Sequence, residues 1–252
     1  MKTVEIPGYR IETLDLPATR PGLPTLVLLH EGLGCVAMWR DFPQQLAAAT
    51  GCRTIVYSRP GYGASDPHPE ARQPDYMHRE AQHILPALLA AMAVERPLLV
   101  GHSDGGSIAL IFAGSFPERP VGVVVMAPHE FVEAETLAGI RAARELWLDS
   151  DWPQKLARYH RDAPRVFADW NDCWLAPAFR DWNIEDYLPA IRCPVLAIQG
   201  EDDEYATLRQ IEVIAEQVPE TRLLKLARCG HTPQRDQPAA VLAAIAEFVS
   251  RR

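Results

Sequence analysis

Short apolar, β-branched runs recur along the chain, each ended by a turn or a helix start: Thr25–His30, Arg53–Ser58, Pro97–Gly101, Val121–Ala127, Pro194–Gly200 and Thr221–Leu226. They are apolar almost without alternation, the pattern of strands buried on both faces. Thr3–Ile6 and Arg10–Leu16 predict a leading hairpin turning at Pro7–Gly8. Between the runs, 3.6-residue periodicity predicts helices over Tyr76–Met92, Ser107–Phe116, Leu208–Gln217 and Pro238–Val249. Pro238 suits a first helical turn, where a missing N–H is harmless. Strands alternating with helices imply an α/β fold with a mostly parallel, doubly wound sheet.

The rhythm breaks over 128–189, where no good strand occurs and five of the six tryptophans lie: Trp147, Trp152, Trp170, Trp174 and Trp182. Helices are predicted there at Glu133–Leu148 and Asp151–Ala168. The expected organisation is a core of 1–127 and 190–252 with a helical lid, 128–189, inserted before the strand run Pro194–Gly200. No internal repeat or low-complexity tract is present.

The 252 residues carry 25 Lys plus Arg against 33 Asp plus Glu, a formal charge of −8. That sign, with scattered arginines, argues against nucleic-acid binding. No stretch approaches the roughly 20 apolar residues of a membrane span, and the N-terminus lacks the pattern of a signal peptide. Five cysteines without C-x-x-C spacing fit free thiols in a reducing compartment. A cytoplasmic location is therefore expected, with no membrane partner.

Gly101-His102-Ser103-Asp104-Gly105 is a G-x-S-x-G run between a predicted strand and helix. A tight strand-to-helix turn exposes the serine hydroxyl above the sheet edge, and the helix N-terminus favours developing negative charge there. A hydroxyl needs a base to become a nucleophile. His231 follows the last predicted strand, on the same side as Ser103, and Gly230 lets its loop approach. The other histidines are placed worse. His68, His78 and His83 lie in or beside a loop and helix ahead of Ser103, and His160 lies in the lid. His102 reads as packing behind the nucleophile. The orienting acid must follow a strand; the run Glu201-Asp202-Asp203-Glu204 favours Asp203 over its neighbour Asp202. Donors for an oxyanion are expected at the N–H groups of Asp104 and Gly32, with Leu33 as the alternative to Gly32. Losing one such donor costs about 3–4 kcal/mol of transition-state stabilisation. His30 and Arg59 read as loop anchors, and nothing marks Cys35 as a second nucleophile.

HEGLG at 30–34, YSRPGYGASD at 57–66, GHSDGG at 101–106, GEDD at 200–203 and CGHTPQRDQP at 229–238 together resemble the α/β-hydrolase superfamily over nearly the full chain. The resemblance implies a serine hydrolase with Ser103, Asp203 and His231 as triad, Gly32 and Asp104 as oxyanion donors, no cofactor and no metal. Two positions depart from many members: Glu31 follows His30, and Asp104 follows the serine. The Ser-Asp-Gly-Gly turn is similar to that of valacyclovir-hydrolase-like esterases, in which an acidic group beside the nucleophile accepts an amine.

These readings lead to a small-molecule carboxylic ester as substrate. Lactonase, thioesterase and carbon–carbon bond hydrolase chemistries use the same triad, and the lid arginines keep a thioesterase open. A non-catalytic binding protein on this scaffold is the competing class. Glu31, Leu33, Trp39, Trp147, Trp170, Trp174 and Tyr205 are candidate pocket residues, the tryptophans having lid packing as their alternative. Glu31 and Asp104 together would disfavour anionic substrates. An exposed lid patch would suit a homodimer.

Overall fold

The computed structural model describes residues 2–252. Eight strands, β1 (Lys2–Ile6), β2 (Tyr9–Leu16), β3 (Thr25–Leu29), β4 (Thr54–Tyr57), β5 (Pro97–His102), β6 (Gly122–Met126), β7 (Val195–Gly200) and β8 (Thr221–Leu226), form one sheet in the order β1-β2-β4-β3-β5-β6-β7-β8. The hairpin β1–β2, turning through Gly8 at φ +86°, pairs antiparallel, as does β2 with β4; all later pairs are parallel. The sheet is thus α/β and mostly parallel, as the apolar runs imply. Strands β4 to β7 are buried along their whole length. β8 departs from the expectation of a strand buried on both faces. It is an edge strand, half exposed, and its outward Arg222 and Lys225 bridge to Glu247 and Glu212. Charged side chains on an edge discourage further strand pairing.

Ten helices are described: α1 (Phe42–Thr50), α2 (Tyr76–Arg79), α3 (Leu85–Ala91), α4 (Asp104–Ser115), α5 (Ala134–Asp149), α6 (Trp152–Leu156), α7 (Ala163–Leu175), α8 (Arg209–Gln217), α9 (Pro233–Asp236) and α10 (Pro238–Ser250). Alternate strand residues face opposite layers. Leu98 and Val100 of β5 meet α1 and α10 through Leu46, Ile245 and Phe248, whereas Leu99 faces the layer of α3, α4 and α8. None of these helices is long and apolar enough to cross a membrane.

Two predicted helices are interrupted, each at a proline. The stretch expected as one helix over 76–92 is α2 and α3 joined by a π-helical turn, Glu80–Ile84. Pro86 has no N–H for the carbonyl four residues back, and its ring crowds that carbonyl, so the helix widens ahead of it. The stretch over 151–168 divides into α6 and α7, because Pro164 cannot sit inside a continuous helix. Asp162 instead caps α7, accepting from the Arg165 N–H at 3.1 Å. Helices α5 to α7 and two short 3₁₀ turns lie between β6 and β7, over the carboxyl ends of the strands that carry the candidate site.

Candidate active site

Ser103 sits between β5 and α4 with φ +52°, a left-handed backbone that a non-glycine residue adopts only when its surroundings enforce it. The surroundings here leave no space for side chains. A Cβ on Gly101 would collide with the Gly105 carbonyl, and one on Gly105 with the Leu29 carbonyl at the end of β3. The Ser103 N–H is anchored on the Met126 carbonyl at 2.9 Å.

His231 lies on the loop between β8 and α9. Its backbone N–H donates to Glu204 at 3.1 Å, and its carbonyl accepts from His102 Nε2 at 2.8 Å. The ring Nε2 stands 2.9 Å from Ser103 Oγ. On the other side Nδ1–H donates to Asp203, 2.8 Å from Oδ1 and 3.0 Å from Oδ2. Asp203 also accepts from the Tyr205 N–H at 2.9 Å and Gln199 Nε2 at 3.2 Å. Asp202 is exposed, so of the two neighbours only Asp203 meets the ring. Burial disfavours charge on both groups. For the imidazole this is outweighed by the hydrogen bond and charge of Asp203, leaving its pKa above the usual histidine value; the same pairing lowers that of Asp203.

A cavity of about 660 Å³ opens over Ser103 and His231. Of the sequence candidates, Glu31, Gly32, Leu33, Trp39, Asp104, Trp170, Trp174 and Tyr205 line it. Trp147 does not. It stacks on Phe167 at 4.2 Å between ring centroids, because α5 and α7 use it to hold together. The backbone N–H groups of Gly32, Leu33 and Asp104 meet no protein acceptor among the described residues.

The two candidate carboxylates differ. Asp104 is 1% exposed; its Oδ2 accepts from Tyr76 OH at 2.7 Å and lies 3.3 Å from both Arg59 Nη1 and Nη2. Its charge is matched by the buried guanidinium, so the expectation that Asp104 biases the cavity against anions is corrected. Glu31 is 27% exposed, and its Oε2 lies 3.5 Å from His102 Nδ1. Burial opposes its ionisation, but the hydrogen bond and charge of His102 prevail and hold its pKa at about 2.

His129 was not among the sequence candidates. It lines the cavity with its ring centroid 5.8 Å from that of His231, and burial together with His231 pushes its pKa down to about 3. The available signal was its place just past the strand following the nucleophile helix. Tyr76 was missed too. It links Trp174 Nε1, which donates to its oxygen at 3.0 Å, to Asp104; nothing local in the sequence marks that role.

Residues 26–244 match the sequence model of the alpha/beta hydrolase family. A 2-hydroxy-6-oxononadienedioate/2-hydroxy-6-oxononatrienedioate hydrolase of Paraburkholderia phymatum is 28% identical over 245 residues, covering 86% of this chain and 83% of its own. A 2-succinyl-6-hydroxy-2,4-cyclohexadiene-1-carboxylate synthase of Salmonella paratyphi C is 25% identical over 260 residues, covering 91% and 95%. Among solved structures, proline iminopeptidase of Mycobacterium smegmatis superposes with TM-score 0.77 at 21% identity, over 99% of this chain and 97% of that one. The enol-lactonase of Burkholderia xenovorans gives 0.76 at 19% identity, over 99% and 100%. These structures share the fold. With a family match spanning most of its length, the chain belongs to the α/β-hydrolase family and is a hydrolase.

Proposed function

We propose that the chain hydrolyses small carboxylic esters through an acyl-enzyme on Ser103. The observation that carries this reading is the continuous contact from Ser103 Oγ through the His231 ring to Asp203, at 2.9 and 2.8 Å. Ser103 Oγ attacks the ester carbonyl while His231 Nε2 takes its proton. Asp203 holds the ring with its proton on Nδ1 and stabilises the imidazolium. The carbonyl oxygen, now negative, receives the N–H groups of Asp104 and Gly32. As the tetrahedral adduct collapses, His231 returns the proton to the departing alcohol. Water then attacks the acyl carbon with the same histidine as base, releasing the acid and restoring the serine.

Residues 128–189 act as a lid on the core formed by 1–127 and 190–252, and Trp170 and Trp174 contribute its apolar wall to the pocket. Glu31 brings an ionised carboxylate to the cavity lining, so neutral or cationic substrates are favoured over anionic ones. A second reading is hydrolysis of a carbon–carbon bond by the same triad. It is favoured by the curated relatives, several of which are named as 2-hydroxy-6-oxo-dienoate hydrolases.

The test is a panel of p-nitrophenyl esters with neutral, amine-bearing and carboxylate-bearing acyl groups, run beside lactones, acyl thioesters and a 2-hydroxy-6-oxo-dienoate. The expected result is turnover of the neutral ester, slower turnover of the carboxylate series, and loss of about 10⁴-fold or more in Ser103→Ala. Turnover of the dienoate without ester hydrolysis would replace the first reading by the second. A folded protein that turns over nothing would support a binding role.

A further inference from the structure

Arg59, two residues past β4, is wholly buried beneath the site. A guanidinium removed from water is tolerated only with close partners, and its partners here fall on both sides of the candidate oxyanion hole. On one side it holds the Asp104 carboxylate, with Nη1 and Nη2 both 3.3 Å from Oδ2. On the other, Nη2 donates to the Glu31 carbonyl at 2.8 Å. Its backbone N–H donates to His30 Nε2 at 3.0 Å, which leaves the proton of a neutral His30 on Nδ1. That N–H donates to the same Glu31 carbonyl at 2.7 Å, and the Gly34 N–H adds a third bond at 3.1 Å. Burial, and then Arg59 itself, keep the His30 pKa well below the ordinary value, which preserves this arrangement.

The Glu31 carbonyl and the Gly32 N–H are the two ends of one planar peptide, pointing in opposite directions. Fixing the oxygen against Arg59 and His30 therefore fixes the direction of the N–H on Gly32, a residue that lines the cavity. Three donors on the oxygen also polarise the peptide and strengthen its N–H as a donor. The second donor belongs to Asp104, whose side chain is gripped by the same guanidinium. We infer that Arg59 is a positioning residue that sets both oxyanion donors, bridging the Glu31 carbonyl and the Asp104 carboxylate from below. The inference rests on the ester-hydrolase reading of the site. Because Asp104 balances its charge, Arg59 acts through geometry rather than through its field.

Arg59→Lys tests it. An ammonium keeps the charge and can pair with Asp104, but it lacks the planar fork that reaches two acceptors in fixed directions. In the folded variant, kcat for a neutral ester is expected to fall about 100-fold, the scale of losing an oxyanion donor, with KM within about 3-fold of wild type. Affinity for a trifluoromethyl ketone, which forms an oxyanion-bearing adduct with the serine, should fall by about the same factor. Affinity for the matching secondary alcohol should stay unchanged, as should the pH midpoint of kcat/KM. If the lysine variant does not fold, the pair Arg59→Met with Asp104→Leu replaces the buried ion pair by apolar groups, and the same kinetic split is expected. Retention of kcat within about 3-fold, or equal losses of ketone and alcohol affinity, would overturn the inference. Absence of ester turnover in the wild-type protein would instead remove the reading beneath it.

Discussion

Opposing influences meet on His231. Burial penalises its charged form, while Asp203, bonded to Nδ1, favours it and prevails. A base must be neutral to accept the serine proton, so activity rises with pH as the imidazolium is lost. The kcat/KM profile for a neutral ester is expected to show an ascending limb centred above the value of about 6.5 for an unperturbed imidazole. Asp203→Asn should lower kcat by about 10³–10⁴-fold, because an amide can hold the ring in the wrong tautomer. A profile centred at or below the unperturbed value, or an Asn variant of near wild-type rate, would show that the pairing does not act as described. Ser103, His231 and Asp203 were legible as residues because each follows the end of an apolar run. The Arg59–Asp104 pairing was not. It joins positions 45 apart, and the sequence around Asp104 suggested a group facing the cavity.

The turn into α4 shows how closely one element can constrain another. Gly105, one residue inside the helix, lies against the backbone of Leu29 and His30 at the end of β3. Gly105→Ala must push α4 away from the sheet, carrying the Asp104 N–H with it. The expected cost is about 1–3 kcal/mol, read as a lower melting temperature, together with a fall in kcat larger than any change in KM. A variant with wild-type stability and rate would show that the contact has slack. The elements themselves were largely readable, since a double-faced apolar run and a helical stripe differ in period. The interruptions at Pro86 and Pro164 could be suspected from proline alone. Whether the chain then widens into a π turn or stops and caps depends on what lies around it. β8 was misread for a related reason: its apolar residues resemble those of a central strand, and its edge position is set by chain order in the sheet.

At the scale of the molecule, the parallel sheet delivers three chain segments to one edge, and the helices between β6 and β7 roof the cavity. Where this roof begins, Glu130 is wholly buried and neither carboxyl oxygen has a hydrogen-bond partner among the described residues; burial, with Glu133 and Glu185 nearby, raises its pKa well above the usual carboxylate range. The folded protein thus keeps the proton that the unfolded chain releases at about pH 4.3. Its stability declines as pH climbs from there towards the raised value. Glu130→Leu is expected to raise the melting temperature at pH 8, by a gain of about 1–3 kcal/mol, with a smaller gain at pH 5. A gain independent of pH would mean that Glu130 is not held protonated. The fold class was legible because it depends on the alternation of elements along the whole chain. The cavity wall was legible only in part. Trp170 and Trp174 face the cavity and Trp147 faces Phe167, a division that helix packing makes and composition does not.

The central claim is that Ser103 is made nucleophilic by His231, and covalent labelling with a fluorophosphonate addresses it directly. The account predicts one adduct per chain, located by peptide mass on the segment containing Ser103, absent in Ser103→Ala and formed far more slowly in His231→Ala. A folded wild-type protein that stays unlabelled, or an adduct on a different residue, would contradict it.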